Sequence, residues 1–160
     1  MRTARAVTEV SLQPAAALTL WTEPTRWPTF IEGFGRLVGT DGDWPAPESR
    51  VVWESVPAGR GRVTEKVVES GLDRIATMVF EDRLAGKQTL RVAPADSGAA
   101  VELSLEYTLT KYGPAAPLAD ALFIRRAIRD SLARTLRRFA IEAEEEAGLR
   151  ASGPAASGSS

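Results

Sequence analysis

Near its C-terminus the chain carries a helical period about thirty residues long. From Leu118 to about Ala147, the residues Ile124, Ile128, Leu132, Leu136, Phe139 and Ala143 recur at steps of three or four. Apolar side chains spaced in this way share one face of an α-helix. At 1.5 Å per residue that helix is roughly 45 Å long. It is apolar on one side only, so it needs a broad apolar surface to lie on.

The preceding residues supply such a surface. Thr3 to Leu12 alternates, with Ala4, Ala6, Thr8, Val10 and Leu12 opposed to Arg5, Glu9 and Ser11, and with Val7 out of phase. A period of two marks a half-buried strand. Pro14 opens a short helix through Ala15, Ala16, Ala17, Leu18 and Leu20, because proline's missing N–H has no partner in a first turn. Trp27, Phe30, Ile31 and Phe34 give a second short helical segment an apolar side. Strands are then expected at Arg36–Thr40, Ser49–Val56, Arg62–Glu69, Leu72–Arg83, Lys87–Ala93 and Val101–Leu109. They are separated by turn signals such as Asp41-Gly42-Asp43, Pro57-Ala58-Gly59, Ser70-Gly71 and Asp96-Ser97-Gly98. Tyr112 to Pro117 reads as a loop.

Short turns between successive strands imply antiparallel pairing. The order predicts an α+β helix-grip fold: a curved antiparallel sheet of about seven strands (β-α-α-β6-α) wrapped around the long C-terminal helix. Residues 1–147 are expected to form a single ligand-binding domain. Residues 148–160, rich in Ser, Gly, Ala and Pro, are expected to be a disordered tail. Asp120 complements the helix dipole, whereas Glu144, Glu145 and Glu146 oppose it, so the helix is expected to fray before Gly148.

Composition removes several function classes. The formal net charge is −1, which gives no global field for nucleic acid. The arginines of the long helix (Arg125, Arg126, Arg129, Arg134, Arg137, Arg138) read as a solvated face with weak Asp130–Arg134 and Arg138–Glu142 pairs. There is no cysteine and no histidine, so the thiol nucleophile, the thiolate metal site and the commonest general base are all missing. No metal constellation or phosphate loop is visible, and no cofactor is expected. No apolar run approaches the roughly 20 residues that span a bilayer, and the N-terminus leads straight into a strand. A soluble, cytoplasmic protein without an integral membrane segment is the expectation; a homodimer is compatible with the sequence.

Three stretches carry a resemblance. Trp27-Pro28-Thr29-Phe30 follows the first helix, Gly61 to Glu69 (GRVTEKVVE) lies mid-chain, and Val101 to Leu109 leads to the long helix. In order and spacing, over about residues 3 to 146, the chain resembles the START-like helix-grip (SRPBCC) superfamily, in particular its bacterial polyketide cyclase/dehydrase and lipid-transport branch. That resemblance implies an internal cavity for a hydrophobic small molecule such as a lipid, an aromatic or a polyketide-like compound. Relatives of this kind include passive carriers, aromatase/cyclases and accessory proteins. The cyclases typically use a pocket tyrosine and two pocket arginines, and these positions fall here on Phe34, Val67 and Met78. All three are apolar, which leaves little to stabilise a developing enolate.

By strand parity the pocket lining is expected to be Trp53, Val63, Glu65, Val67, Met78, Phe80, Leu90, Leu103, Leu105 and Tyr107, closed by Phe30, Phe34, Ile124 and Ile128; the competing reading is that most of these are solid core. Glu65 shares the face of Val63 and Val67. Facing an apolar cavity, its carboxyl would have a raised pKa and could act as an acid or base; alternatively, strand twist brings it to the rim beside an Arg or Lys. Tyr107 would either donate to a ligand carbonyl or point its hydroxyl to water. A cyclase or dehydratase using Glu65 and Tyr107 is the enzymatic alternative to a carrier, and an accessory protein is a third.

Overall fold

A computed structural model describes residues 1–110 and 118–153. Its elements follow the order β1 (Arg2–Val10), α1 (Pro14–Trp21), a 3-10 turn (Pro24–Arg26), α2 (Trp27–Phe30), β2 (Phe34–Asp41), β3 (Arg50–Ser55), β4 (Arg62–Ser70), β5 (Arg74–Phe80), β6 (Leu84–Ala95), β7 (Gly98–Leu109) and α3 (Leu118–Ala151). The strands form one seven-stranded sheet in the order β1-β7-β6-β5-β4-β3-β2, and every neighbouring pair is antiparallel. This is the helix-grip arrangement expected from the sequence. The loop expected at Tyr112–Pro117 and the tail from Pro154 onward lie outside the described residues.

The inner face of the sheet follows the period of two. Val51 and Trp53 on β3, Val63 and Val67 on β4, Leu90 and Val92 on β6, and Val101, Leu103 and Tyr107 on β7 are all buried. β5 departs from the expected parity. Ile75, Thr77 and Val79 face inward, while Met78 lies on the outer face and Phe80 is 48% exposed. Met78 and Phe80 are therefore removed from the pocket lining. Side-chain size favours the opposite face, but register decides it: Glu65 pairs with Val79 and Val67 with Thr77. The inward set then contains a threonine whose hydroxyl has a partner there.

Gly86 sits opposite Tyr107 in the β6–β7 ladder. A Cβ at Gly86 would collide with the carbonyl oxygen of Glu106 and lie 3.0 Å from Tyr107 Cα. Only a residue without a Cβ allows so close an approach of the two strands.

The C-terminal half of α3 is firmly seated. Leu136, Phe139 and Ala143 are exposed by 1% or less. Phe139 packs edge-on against Trp21 at 5.4 Å and against Phe30 at 5.1 Å, and Trp21 stacks on Phe30 at 5.4 Å. Arg26 reaches from the 3-10 turn to Glu142 at 2.5 Å and Glu146 at 3.2 Å. Arg134 pairs with Glu32, and Thr135 Oγ1 accepts a hydrogen bond from the Glu32 N–H at 3.1 Å. These long-range partners replace the local pairs read from the helix sequence. They also explain why the helix continues past Gly148 to Ala151: Glu146, unfavourable for the dipole, is held by Arg26 and by Arg150 at 3.3 Å.

Packing loosens along the middle of the N-terminal half, although Ala121 near the helix start is buried. Leu132 is still buried, Ile128 and Ile124 are half-buried, and Phe123 is 74% exposed. Two stability measurements test this picture by urea denaturation. Phe139→Ala should lose about 3–5 kcal/mol, whereas Ile124→Ala should lose less than about 1 kcal/mol; similar losses at both sites would contradict the gradient. Gly86→Ala should lose about 2 kcal/mol or more through overpacking against the β7 backbone.

Candidate functional site

Where α3 stands off the sheet, a cleft of about 570 Å³ opens. That falls within the roughly 300–1,000 Å³ of small-molecule sites. One wall is the N-terminal half of α3, with Phe123, Ile124, Ile128 and Leu132. The floor is Leu105 and Leu109 of β7. The opposite wall is polar and comes from the β3–β4 loop, the β5–β6 turn and β6, with Arg60, Glu81, Arg83 and Gln88. All three regions meet at one end of the sheet because antiparallel pairing brings the end of β7 to the starts of β4 and β6.

Behind the polar wall lies a buried carboxyl. Glu65 is 6% exposed. Its Oε2 accepts a hydrogen bond from Trp53 Nε1 at 2.9 Å, and its Oε1 accepts from Thr77 Oγ1 at 3.2 Å and Gln88 Nε2 at 3.3 Å. Four adjacent strands thus contribute one polar group each to a single cluster. Burial raises the pKa of Glu65, and the Trp53 bond, the Arg60 charge and the Thr77 bond oppose that rise without cancelling it. Of the two readings left open by the sequence, the inward one is realised, and among the described residues no Arg or Lys pairs with Glu65 directly. Arg60 lies 5.0 Å above the Trp53 ring as a cation–π contact and forms an ion pair with Glu81, whose side chain is only 6% exposed. The guanidinium is thereby fixed at the rim of the cleft.

Tyr107 is fully buried, and its hydroxyl has no hydrogen-bond partner among the described residues. Burial raises its pKa. It occupies neither of the positions expected for it, in water or at the cleft surface.

Apart from Glu65, Met78 and Phe80, the structure distributes the sequence-derived lining residues in three ways. Leu105, Ile124 and Ile128 border the cleft. Phe30, Trp53, Val63, Val67, Leu90, Leu103 and Tyr107 are closed into the core at 1% exposure or less. Phe34 is half-buried and stacks on Trp53 at 5.1 Å. The polar wall was missed. Gln88 carried a signal, because it shares strand parity with the apolar Leu90 and Val92 and so breaks an inward face. Arg60, Glu81 and Arg83 lie in turns, where no periodicity points to a site.

Comparison with known proteins agrees with this fold. The family model described as polyketide cyclase/dehydrase and lipid transport matches residues 1–144. No curated protein matches the sequence at a significant level. Among solved structures, the di-domain ARO/CYC StfQ from the steffimycin biosynthetic pathway is 19% identical with a TM-score of 0.70; the match covers 91% of this chain and 51% of StfQ, so the chain spans about half of that protein. A protein from Thermus thermophilus is 18% identical, with 95% of this chain and all of the other covered at a TM-score of 0.66. Norcoclaurine synthase from Thalictrum flavum, in complex with dopamine and hydroxybenzaldehyde, is 15% identical, with 96% of this chain and 88% of the synthase covered at a TM-score of 0.62. At these identities the structural likeness establishes the fold, while the family model matches nearly the whole chain. The chain belongs to the polyketide cyclase/dehydrase and lipid transport family.

Proposed function

We propose that the protein binds a hydrophobic small molecule, of lipid, aromatic or polyketide-like type, in the cleft between α3 and the sheet. The observation that carries this reading is the cleft itself: an apolar helical wall and floor facing a wall with a fixed guanidinium and an amide. Such a site holds an apolar body by burial and orients it through a few polar contacts. The family description and the aromatic molecules in the norcoclaurine synthase complex support the same class of ligand.

Non-covalent binding is favoured over a cyclase or dehydratase reaction by the positions of Glu65 and Tyr107. Both lie behind the cleft surface, and both oxygens of Glu65 already accept hydrogen bonds. An acid or base must come within hydrogen-bond reach of the proton it moves. Gln88 stands between Glu65 and the cleft, so a bound molecule meets the amide first.

Native mass spectrometry of the purified protein should show a co-purified or added apolar compound. Ile128→Trp, which fills the cleft, should weaken that binding at least about tenfold. A protein that takes up no apolar compound, or one indifferent to Ile128→Trp, would remove the proposal.

Glu65 makes a separate pH prediction. Its folded pKa is raised, so the folded state holds this proton more tightly than the unfolded chain does. The Glu65 contribution is then fully favourable below the usual glutamate value of 4.5 and is lost as pH rises through the higher folded value. Glu65→Gln should flatten this decline in urea-unfolding profiles and should match or exceed the wild type in stability at neutral pH. It should also leave ligand binding intact. A steeper decline in the variant would contradict the assignment.

A further inference from the structure

Ligand binding leaves unexplained the outer side of α3 at the mouth of the cleft. Leu122, Arg125, Arg126 and Arg129 fall on one stripe of the helix by their spacing, with Phe123 at its edge. Leu122 is 57% exposed, Phe123 is 74% exposed, and the three arginines are exposed as well. The five side chains border a shallow groove of their own, and Phe123 also borders the cleft. Among the described residues, the ion pairs of α3 fall on Arg134, Glu142, Glu146 and Arg150, and none on Arg125, Arg126 or Arg129.

The helix is strongly polarised in charge. Residues 118–138 carry six arginines and two aspartates, whereas residues 139–151 carry four glutamates and one arginine. The overall charge of −1 conceals this separation. Asp130 is the acid closest in sequence to the stripe, and it leaves the three arginines in excess.

We propose that this stripe docks the protein on the surface of an anionic phospholipid bilayer and sets the mouth of the cleft against the membrane. Two bare apolar side chains beside three exposed arginines match the two layers of a bilayer interface. Leu122 and Phe123 sink to the acyl boundary, while the guanidinium groups stay at the phosphates on their long stems. An acidic protein would satisfy the arginines but would not by itself account for the two exposed apolar side chains. No helix among the described residues is long and apolar enough to cross a membrane, so the attachment is peripheral. It is a second binding surface and stands whether or not the cleft is occupied.

The experiment is co-sedimentation of the full chain with phosphatidylcholine vesicles, with and without phosphatidylglycerol, at low and at physiological salt. Binding is expected only to the phosphatidylglycerol vesicles and should weaken as salt rises. Each arginine near an anionic surface is worth about fivefold in affinity. The triple variant Arg125→Glu/Arg126→Glu/Arg129→Glu should therefore lose on the order of a hundredfold. Leu122→Ser/Phe123→Ser should also weaken binding, by about tenfold or more. All five positions are exposed, and unchanged far-ultraviolet circular dichroism and melting temperature would show that the variants fold. Failure of the wild type to bind anionic vesicles at low salt would overturn the proposal. So would binding that survives the charge reversal. Binding that is lost on charge reversal yet indifferent to Leu122→Ser/Phe123→Ser, and equally strong for soluble polyglutamate, would assign the stripe to an acidic protein instead.

Discussion

The fixed point of the structure is the attachment of one end of α3. Phe139 sits between Trp21 and Phe30, and Arg26 holds Glu142 and Glu146. The aromatic rings bury a large apolar area in edge-on geometry, and the charged contacts tie the same helix segment to the 3-10 turn. Both partners come from the short helical insertion between β1 and β2. That insertion is therefore the clamp, and the sheet is the surface against which the clamp holds the helix.

A helix clamped at one end need not touch the sheet along its whole length. On the inner face of α3, Phe139 and Leu136 are sealed, Leu132 is buried, Ile128 and Ile124 are half-buried, and Ala121 is buried again beyond them; the cleft opens along the half-buried stretch. Its floor is made by large strand residues, Leu105 and Leu109. Its far wall is made by loops at the same end of the sheet. The site thus lies along the N-terminal half of α3, away from the clamp at its C-terminal half. It is not a hole in an otherwise uniform core, which explains how deep core residues and an open cleft coexist on one sheet face.

Much of this was legible in the sequence. Helical spacing identifies α3 and its inner face, and alternation together with turn signals locates the strands, although β6 and β7 each begin three residues before the expected start. The meander from β2 to β7 follows from short turns, whereas the pairing of β1 with β7 does not. The phase of β5 is lost because Arg74 to Phe80 has apolar residues on both parities, and only cross-strand register distinguishes them. For the site, parity correctly faces Leu105 and Glu65 inward but does not separate a residue at a cavity surface from one sealed beneath it. That distinction depends on where α3 rests, and its long-range partners include the distant pairs Arg26–Glu142 and Arg134–Glu32. Arg60, Glu81 and Arg83 act through loop geometry, which leaves no period to read.

The cluster around Glu65 has a bearing on how the sheet assembles. Trp53, Glu65, Thr77 and Gln88 come from β3, β4, β5 and β6 in turn. Slipping any one of these strands by a single residue would turn its member of the set to the outer face. The slipped sheet would retain its backbone ladder yet strand an indole N–H or a carboxyl in apolar surroundings without a partner. Hydrophobic residues alone, being interchangeable in such a slip, impose a weaker distinction. Four polar groups that are satisfied only together act as an alignment key, selecting one pairing of these strands from the near-degenerate alternatives.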